Sequence, residues 1–392
     1  MCSVRAFSRN ARSFLLAPTL TLAIAVLGSL ASAQGQTQLK RLPANQQAAL
    51  QEKLNGSTVV MATGHPTTSY FAMTHDIASM VASEDGVRLL PLSGEGGIGT
   101  LRDLLYLRGV DLAIVPANVL VRVRETEALG PAVAQRIGYV TRLYNEEVHV
   151  VAGAGTNAFN QLRGKKIAVP QNDGNALFTL NDLMEHLQIE IVKMPAPEAL
   201  AAVRAGEIAA VLLIGAKPMP LVSEIAKDGS LRLLNIPFAP ALEESYGPTA
   251  FRAEDYPNIV PPGVVVESLA ISAVLVAGAR DREGSAQRVA KLVPNLLSAI
   301  SERPMANAHS GWGQVNLAAT LPTWTRLAAA EEWLRSAQQE QSLALQRTFD
   351  AFLREKQPAG GAELTPAQRK KLFDEFVRWT RKSVGETRGP SR

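Results

Sequence analysis

The stretch Ser93-Gly-Glu-Gly-Gly-Ile-Gly-Thr100 carries a G-x-G-x-x-G pattern from Gly94 to Gly99, between an apolar run at 87–92 and a helical one at 101–107. In that context the glycines would let a backbone turn approach a dinucleotide pyrophosphate at a helix start. The same chemistry needs an acidic residue at the carboxyl end of the next strand to hold the ribose. The acid available there is Asp111, at the strand's beginning, and the carboxyl end reads Pro116-Ala-Asn118. The pattern also follows the second strand of its unit, not the first. Nucleotide binding is therefore set aside. The glycines read instead as a strand-to-helix turn whose amides face a small anion, or as a turn that needs positive φ.

Other chemistry-bearing residues narrow the field. His65, His75, His149, His186 and His309 lack the i, i+4 spacing and partners of a metal site. No G-x-S-x-G elbow carries a nucleophile. Adjacent Glu146 and Glu147 lie in a strand pattern, face opposite sides and so form no acid/base dyad. No cofactor, no metal and no catalysis is expected.

Three further loops repeat the glycine turn's chemistry. Thr63-Gly-His-Pro-Thr-Thr-Ser-Tyr70 packs hydroxyls into a helix start, Gln171-Asn-Asp-Gly-Asn175 does the same in a later unit, and Gly215-Ala-Lys-Pro218 follows a third strand there. Ligands of open α/β sheets bind outside the carboxyl ends of strands, so all four loops are expected to line one cleft suited to a small anion.

The elements that must position these loops alternate strand and helix, the mark of an α/β fold with mainly parallel sheets. The first series predicts strands at 58–62, 87–92 and 112–115 with helices at 68–81 and 100–108. The second predicts strands at 166–169, 190–192 and 208–214 with helices at 176–187, 198–205 and 220–226. Glu147-Val-His-Val-Val-Ala152 leads from one series to the other, and the β-rich run 263–276 leads back. Two extended crossovers between α/β lobes describe a hinged clamshell. The expected division is lobe 1 at 58–150 plus 235–325, lobe 2 at 151–234, an N-terminal segment at 34–57 and a C-terminal helical extension at 326–392. Within the extension, Thr325 to Leu353 reads as amphipathic helix and Thr365-Pro-Ala-Gln-Arg as a capped helix start.

Residues 1–33 hold Arg5, Arg9 and Arg12, an apolar core from Leu20 to Leu30, and Ala31-Ser32-Ala33, and read as a cleaved secretory signal peptide. Its removal lowers the formal charge from +4 to +1 and takes away the single cysteine. Thiol nucleophiles, disulfides and cysteine metal sites are thereby excluded from the mature chain, and no basic run marks nucleic acid as a partner. The mature protein is expected to be periplasmic and not membrane-spanning.

Taken together, several segments resemble the TAXI-type extracytoplasmic solute receptors of TRAP transporters. They are Ala62-Thr-Gly64 with Ser69-Tyr-Phe71, Tyr106-Leu-Arg-Gly-Val-Asp-Leu-Ala-Ile-Val115, Tyr144-Asn-Glu-Glu-Val-His-Val150, Leu162-Arg-Gly-Lys-Lys-Ile-Ala-Val169, Ala205-Gly-Glu-Ile-Ala-Ala210 and Gly215-Ala-Lys-Pro218. The resemblance spans roughly residues 58–277 and implies a type II periplasmic-binding-protein fold. It also implies capture of a small solute, of the dicarboxylate or amino acid class, and delivery to TRAP-type membrane permease subunits. Carried over by position, it implicates Thr63, Gly64, Ser69 and Tyr70, then Gly99 and Thr100, then Asp173, Gly174 and Asn175. Thr68, Asn118 and Lys217 join them as polar residues at the same strand ends. Two loops depart from the family: His65-Pro66-Thr67-Thr68 stands where a glycine-rich opening is usual, and Asp173 puts a carboxylate near the supposed carboxylate site. The leading expectation is a non-catalytic receptor for a small anionic or zwitterionic solute. The alternative is a periplasmic ligand sensor that presents its closed form to a membrane signalling partner, motivated by the C-terminal helices.

Overall fold

In the computed structural model, which describes residues 42–81, 87–278, 284–302, 310–356 and 365–386, helix α1 (Ala44–Gly56) has no buried residue. The signal-peptide segment 1–33 lies outside the described residues. Contacts divide the chain at residue 52, and everything below concerns the unit 53–392.

That unit begins with β1 (Thr58–Thr63), α2 (Ser69–Val81), β2 (Arg88–Ser93), α3 (Ile98–Tyr106), β3 (Leu112–Pro116) and α4 (Ala117–Thr126). The long β4 (Ile137–Gly153) then leads to β5 (Lys166–Pro170), α5 (Gly174–Met184), β6 (Glu190–Met194), α6 (Ala196–Ala205), β7 (Ala210–Gly215), the single turn α7 (Pro220–Ser223) and β8 (Leu231–Leu233). The return passes through β9 (Gly247–Phe251) and β10 (Val266–Gly278) to the helices α8 (Ser285–Glu302), α9 (Ala328–Lys356) and α10 (Pro366–Glu386).

The strands join in the order β2-β1-β3-β10-β4-β7-β5-β6. β1 is parallel to β2 and β3, and β5 is parallel to β6 and β7. Both sets of parallel strands are tied together by two long antiparallel strands. β10 pairs with β3 at 273–277, β4 pairs with β10 over 137–147, and the far end of β4 pairs with β7 at 147–152. This is the two-lobed α/β clamshell with two crossover strands that the sequence predicts.

Each lobe buries both faces of its strands, which is why those strands read as near-continuous apolar runs. In lobe 1, one face packs Met73 and Ile77 of α2 against Leu292 and Leu296 of α8; the other takes Leu101 and Leu104 of α3 with Val119 and Leu120 of α4. Lobe 2 does the same with α5 on one face and α6 on the other. Asp111, the acid that fails the dinucleotide test, sits buried at the opposite end of the sheet from the loops, where it pairs with Arg288 at 2.9 Å and accepts from Val60 N at 3.1 Å.

Two segments pack differently from the sequence reading. Residues 235–271, assigned there to lobe 1, contribute Ile236, Tyr246, Phe251, Tyr256 and Leu269 to the lobe-2 cores, and lobe 1 recovers the chain only along β10. The C-terminal extension is not a separate layer at its start: Ala330 is buried in the lobe-1 core, and Trp333 packs beside it. Beyond that, α9 and α10 form a helical hairpin closed by Phe349, Phe352, Phe373 and Phe376, with the Phe349 and Phe373 rings 5.1 Å apart. Thr365 caps α10 as read, its amide bonding Gln368 Oε1 at 3.0 Å while its hydroxyl accepts from Gln368 N at 3.4 Å.

Candidate functional site

The strand ends of the two lobes face one another across a cleft of about 740 Å³, a size that suits a small organic ligand. Lobe 1 supplies the turn after β1 and the first residues of α2, including Thr67, Thr68 and Ser69. Lobe 2 supplies the loop Pro170–Asp173, the prolines at the start of α6, and the segment from Leu213 to Leu221. One wall is therefore polar and the other mostly apolar.

Of the residues singled out by sequence, Thr68, Ser69 and Asp173 line this cleft. Thr63, Tyr70 and Thr100 lie buried in lobe 1, and none of their hydroxyls has a hydrogen-bond partner. Gly64 is buried, and a Cβ there would stand 2.9 Å from Thr68 Oγ1. Gly99 and Gly174 border a second cavity of about 630 Å³ that shares Pro170 to Asp173 with the first.

The glycine-rich turn has a reason the sequence did not disclose. Gly174 N donates to Glu95 O at 2.9 Å, and Gly97 N donates to Asn175 Oδ1, so the turn of lobe 1 touches the start of α5 in lobe 2 directly. A Cβ on Gly174 would stand 2.3 Å from Glu95 O, and one on Gly97 would stand 2.7 Å from Gly174 O. Gly96 and Gly97 also have φ of +82° and +56°. Of the turn amides that the anion reading required, Gly97 N is engaged by the other lobe while Gly94 N and Gly99 N bond Thr63 O and Gly96 O within their own, and close backbone approach accounts for Gly96 and Gly97. Asn175 belongs to this contact. Asp173 caps α5, its Oδ1 accepting from Asn175 N and Ala176 N at 3.0 Å each.

Two predicted residues stand elsewhere. Asn118, fully buried, donates to Thr179 Oγ1 and Tyr246 Oη, both at 3.0 Å, while Tyr246 donates to Asp182 at 2.6 Å. It therefore fastens α4 of lobe 1 to α5 of lobe 2, outside the cleft. Lys217 turns away from it: Nζ donates to Ala250 O and lies 3.6 Å from Asp255. Among the lining residues of the 740 Å³ cleft there is no lysine, arginine or histidine.

Glu146, weighed in the sequence only as half of a dyad and not as a site residue, stands behind the cleft. It is 2% exposed, on β4 where the strand crosses between lobes, and Ser69 Oγ donates to its Oε1 while Tyr144 Oη donates to Ser69 Oγ at 2.9 Å. Its Oε2 is buried without a partner. Burial pushes its carboxyl up to about 8, the Ser69 bond pulling the other way. Glu147 points to the opposite side, accepting from Lys217 N at 2.9 Å, and burial raises it to about 7. His149 is held neutral, pushed down by burial to about 3, with Nε2 2.7 Å from Tyr256 Oη and its ring stacked 4.4 Å from Phe251. The signal in the sequence was an acid inside an apolar strand pattern, a costly placement that needs a reason.

The model of the NMT1-like family matches residues 61–308. No curated protein matches the sequence. Among solved structures, an ancestral arginine-binding protein bound to arginine is similar at 13% identity, over 63% of this chain and 93% of that one, with a TM-score of 0.40. A substrate-binding protein of an amino acid ABC transporter from Streptococcus pneumoniae, bound to L-arginine, is similar at 14% identity over 64% and 92% of the two chains, with a TM-score of 0.37. The periplasmic domain of BvgS from B. pertussis is similar at 13% identity over 66% of this chain and 43% of that one, with a TM-score of 0.36.

Proposed function

The chain belongs to the NMT1-like family, and from that membership together with the geometry of the cleft we propose that it is a non-catalytic, extracytoplasmic solute-binding receptor. The observation that carries this reading is the cleft of about 740 Å³ between two lobes, polar on one wall and apolar on the other, at the carboxyl ends of their strands. Two long strands, β4 and β10, are shared by the lobes and provide the hinge about which a receptor closes on its solute. The solute is small and zwitterionic or anionic, of the carboxylate or amino acid class. Export is proposed from the leader-like residues at 1–33, and delivery to TRAP-type membrane subunits from the sequence resemblance.

A second reading is favoured by one observation: the α9–α10 hairpin lies outside the lobes' strands and has its own aromatic core. A protruding hairpin suits a ligand sensor that reports closure to a membrane signalling partner. The test of both is thermal unfolding of the purified protein against amino acids, mono- and dicarboxylates and phosphates. A solute at a hundredfold its dissociation constant adds about 2.7 kcal/mol of stability. A shift with one chemical class supports a receptor or sensor; the absence of any shift, in protein shown by mass spectrometry to carry no ligand, removes both.

A further inference from the structure

We propose that α10, at the tip of the C-terminal hairpin, docks the protein on an anionic lipid bilayer through exposed lysines and arginines, without inserting apolar side chains. The inference goes beyond the solute reading and does not depend on the identity of the solute.

Charge is unevenly spread along the chain. Residues 366–392 hold eight Lys and Arg against three Asp and Glu, a net +5, and residues 1–33 hold three Arg and no acid. Because the whole chain carries +4, the stretch between them, 34–365, is left with −4. A molecule polarised in this way meets a negative surface by one end and is repelled along the rest. The fold places that end within reach of a flat surface. From residue 338 to 348 every residue of α9 except Leu345 is exposed, about 15 Å of helix that sets the hairpin off from Ala330 and Trp333 in lobe 1. α10 turns its apolar side to α9: Phe376 is 6% exposed, with its ring 5.4 Å from that of Phe349. In helical register the opposite side carries Lys371 and Arg378, with Lys370 beside them, all exposed. Arg369 is held by Asp350 of α9, whereas among the described residues no carboxylate forms an ion pair with Lys370, Lys371 or Arg378. Asp374 and Glu375 are exposed on the same helix and reduce its charge without reversing it; the helix continues through Arg381 and Lys382 to Glu386. A cluster of about four to eight basic residues on an amphipathic helix is the pattern that anionic headgroups attract. The residues at 1–33, read as an export leader, favour a membrane surface over a nucleic acid as the partner.

The experiment is sedimentation with vesicles of phosphatidylcholine, alone or with about one quarter phosphatidylglycerol. Both the full chain and the chain from Gln34 on are used, so that binding by the leader's apolar core is separated from that of α10. The chain from Gln34 on is expected to bind the anionic vesicles at least about tenfold more tightly than the neutral ones, and to lose this preference as salt rises from about 0.05 to about 0.5 M. The variant Lys370→Gln/Lys371→Gln/Arg378→Gln, folded by its own unfolding transition, is expected to bind them at least about tenfold more weakly. Lys370→Gln/Lys371→Gln takes its place if the triple variant fails to fold. Equal binding to both vesicles, or binding undiminished in the folded variant, overturns the inference. Retention by duplex DNA or by an acidic membrane protein, with no affinity for the vesicles, overturns it as well. Solute titrations decide the receptor reading separately, whichever way the vesicles answer.

Discussion

Glu146 is the residue whose surroundings have the most measurable consequence. Folded, it keeps its proton up to about pH 8; unfolded, it releases it near 4.5. Between those values the folded chain binds more protons than the unfolded one, so its contribution to stability is fully present below about 4.5 and is lost as pH rises through about 8. Glu147 adds a slope of the same sign up to about 7. Replacing Glu146 by Gln removes its share, and the variant is expected to gain stability over wild type on going from pH 5 to pH 8, by an amount on the order of a few kcal/mol, at roughly 1.4 kcal/mol per unit of pKa. Denaturant unfolding at the two pH values checks this, and an equal difference at both would contradict the placement. Gly174 makes the second prediction at this scale. An alanine there puts its Cβ 2.3 Å from Glu95 O, so the lobe contact must open; a loss of roughly 1–3 kcal/mol is expected, together with a larger radius of gyration in solution scattering. Alanine at Gly155, where a Cβ meets nothing within 4 Å, is the matched control.

At the scale of elements, the two contacts that fasten α4 and the glycine turn to α5 are made by groups from separate lobes. Asn118→Ala leaves Thr179 and Tyr246 short of a buried partner and is expected to cost roughly 1–3 kcal/mol. Combined with Thr179→Val, its effect should be non-additive by about 0.5 kcal/mol or more, because the two side chains share one bond. Strict additivity would mean that the bond is not made in solution. Several elements were legible in advance for physical reasons. The capped start of α10 and the strand runs of both lobes depend on local chemistry and on burial of both faces, which the residues themselves record. β4 was not legible beyond its second half. Through Arg142, Asn145 and Glu146 it passes from one lobe's core to the other's, so no single face is apolar along its 17 residues. α4 was not legible because it starts at Ala117 directly after β3, with Pro116 at its N-cap and no capping side chain.

At the scale of the whole molecule, the α9–α10 hairpin and the lobes have separate cores after the first turns of α9. Removing residues 341–392 is therefore expected to leave the main unfolding transition and solute binding unchanged within about 0.5 kcal/mol, since Ala330 and Trp333, which pack into lobe 1, are retained. A truncated protein that unfolds early would show that the hairpin braces the lobes. Among the described residues no helix is long and apolar enough to cross a membrane. By itself the sequence determined the two α/β series, the crossovers between them and the loops at their strand ends, because periodicity and turn chemistry are properties of neighbouring residues. Only the tertiary structure decided what those loops do. Glu95 to Gly97 meet Gly174, Asn118 meets Thr179, and Ser69 meets Glu146 across separations of 61 to 79 residues, and whether an amide or hydroxyl is offered to a ligand or already spent depends on partners brought near by folding alone.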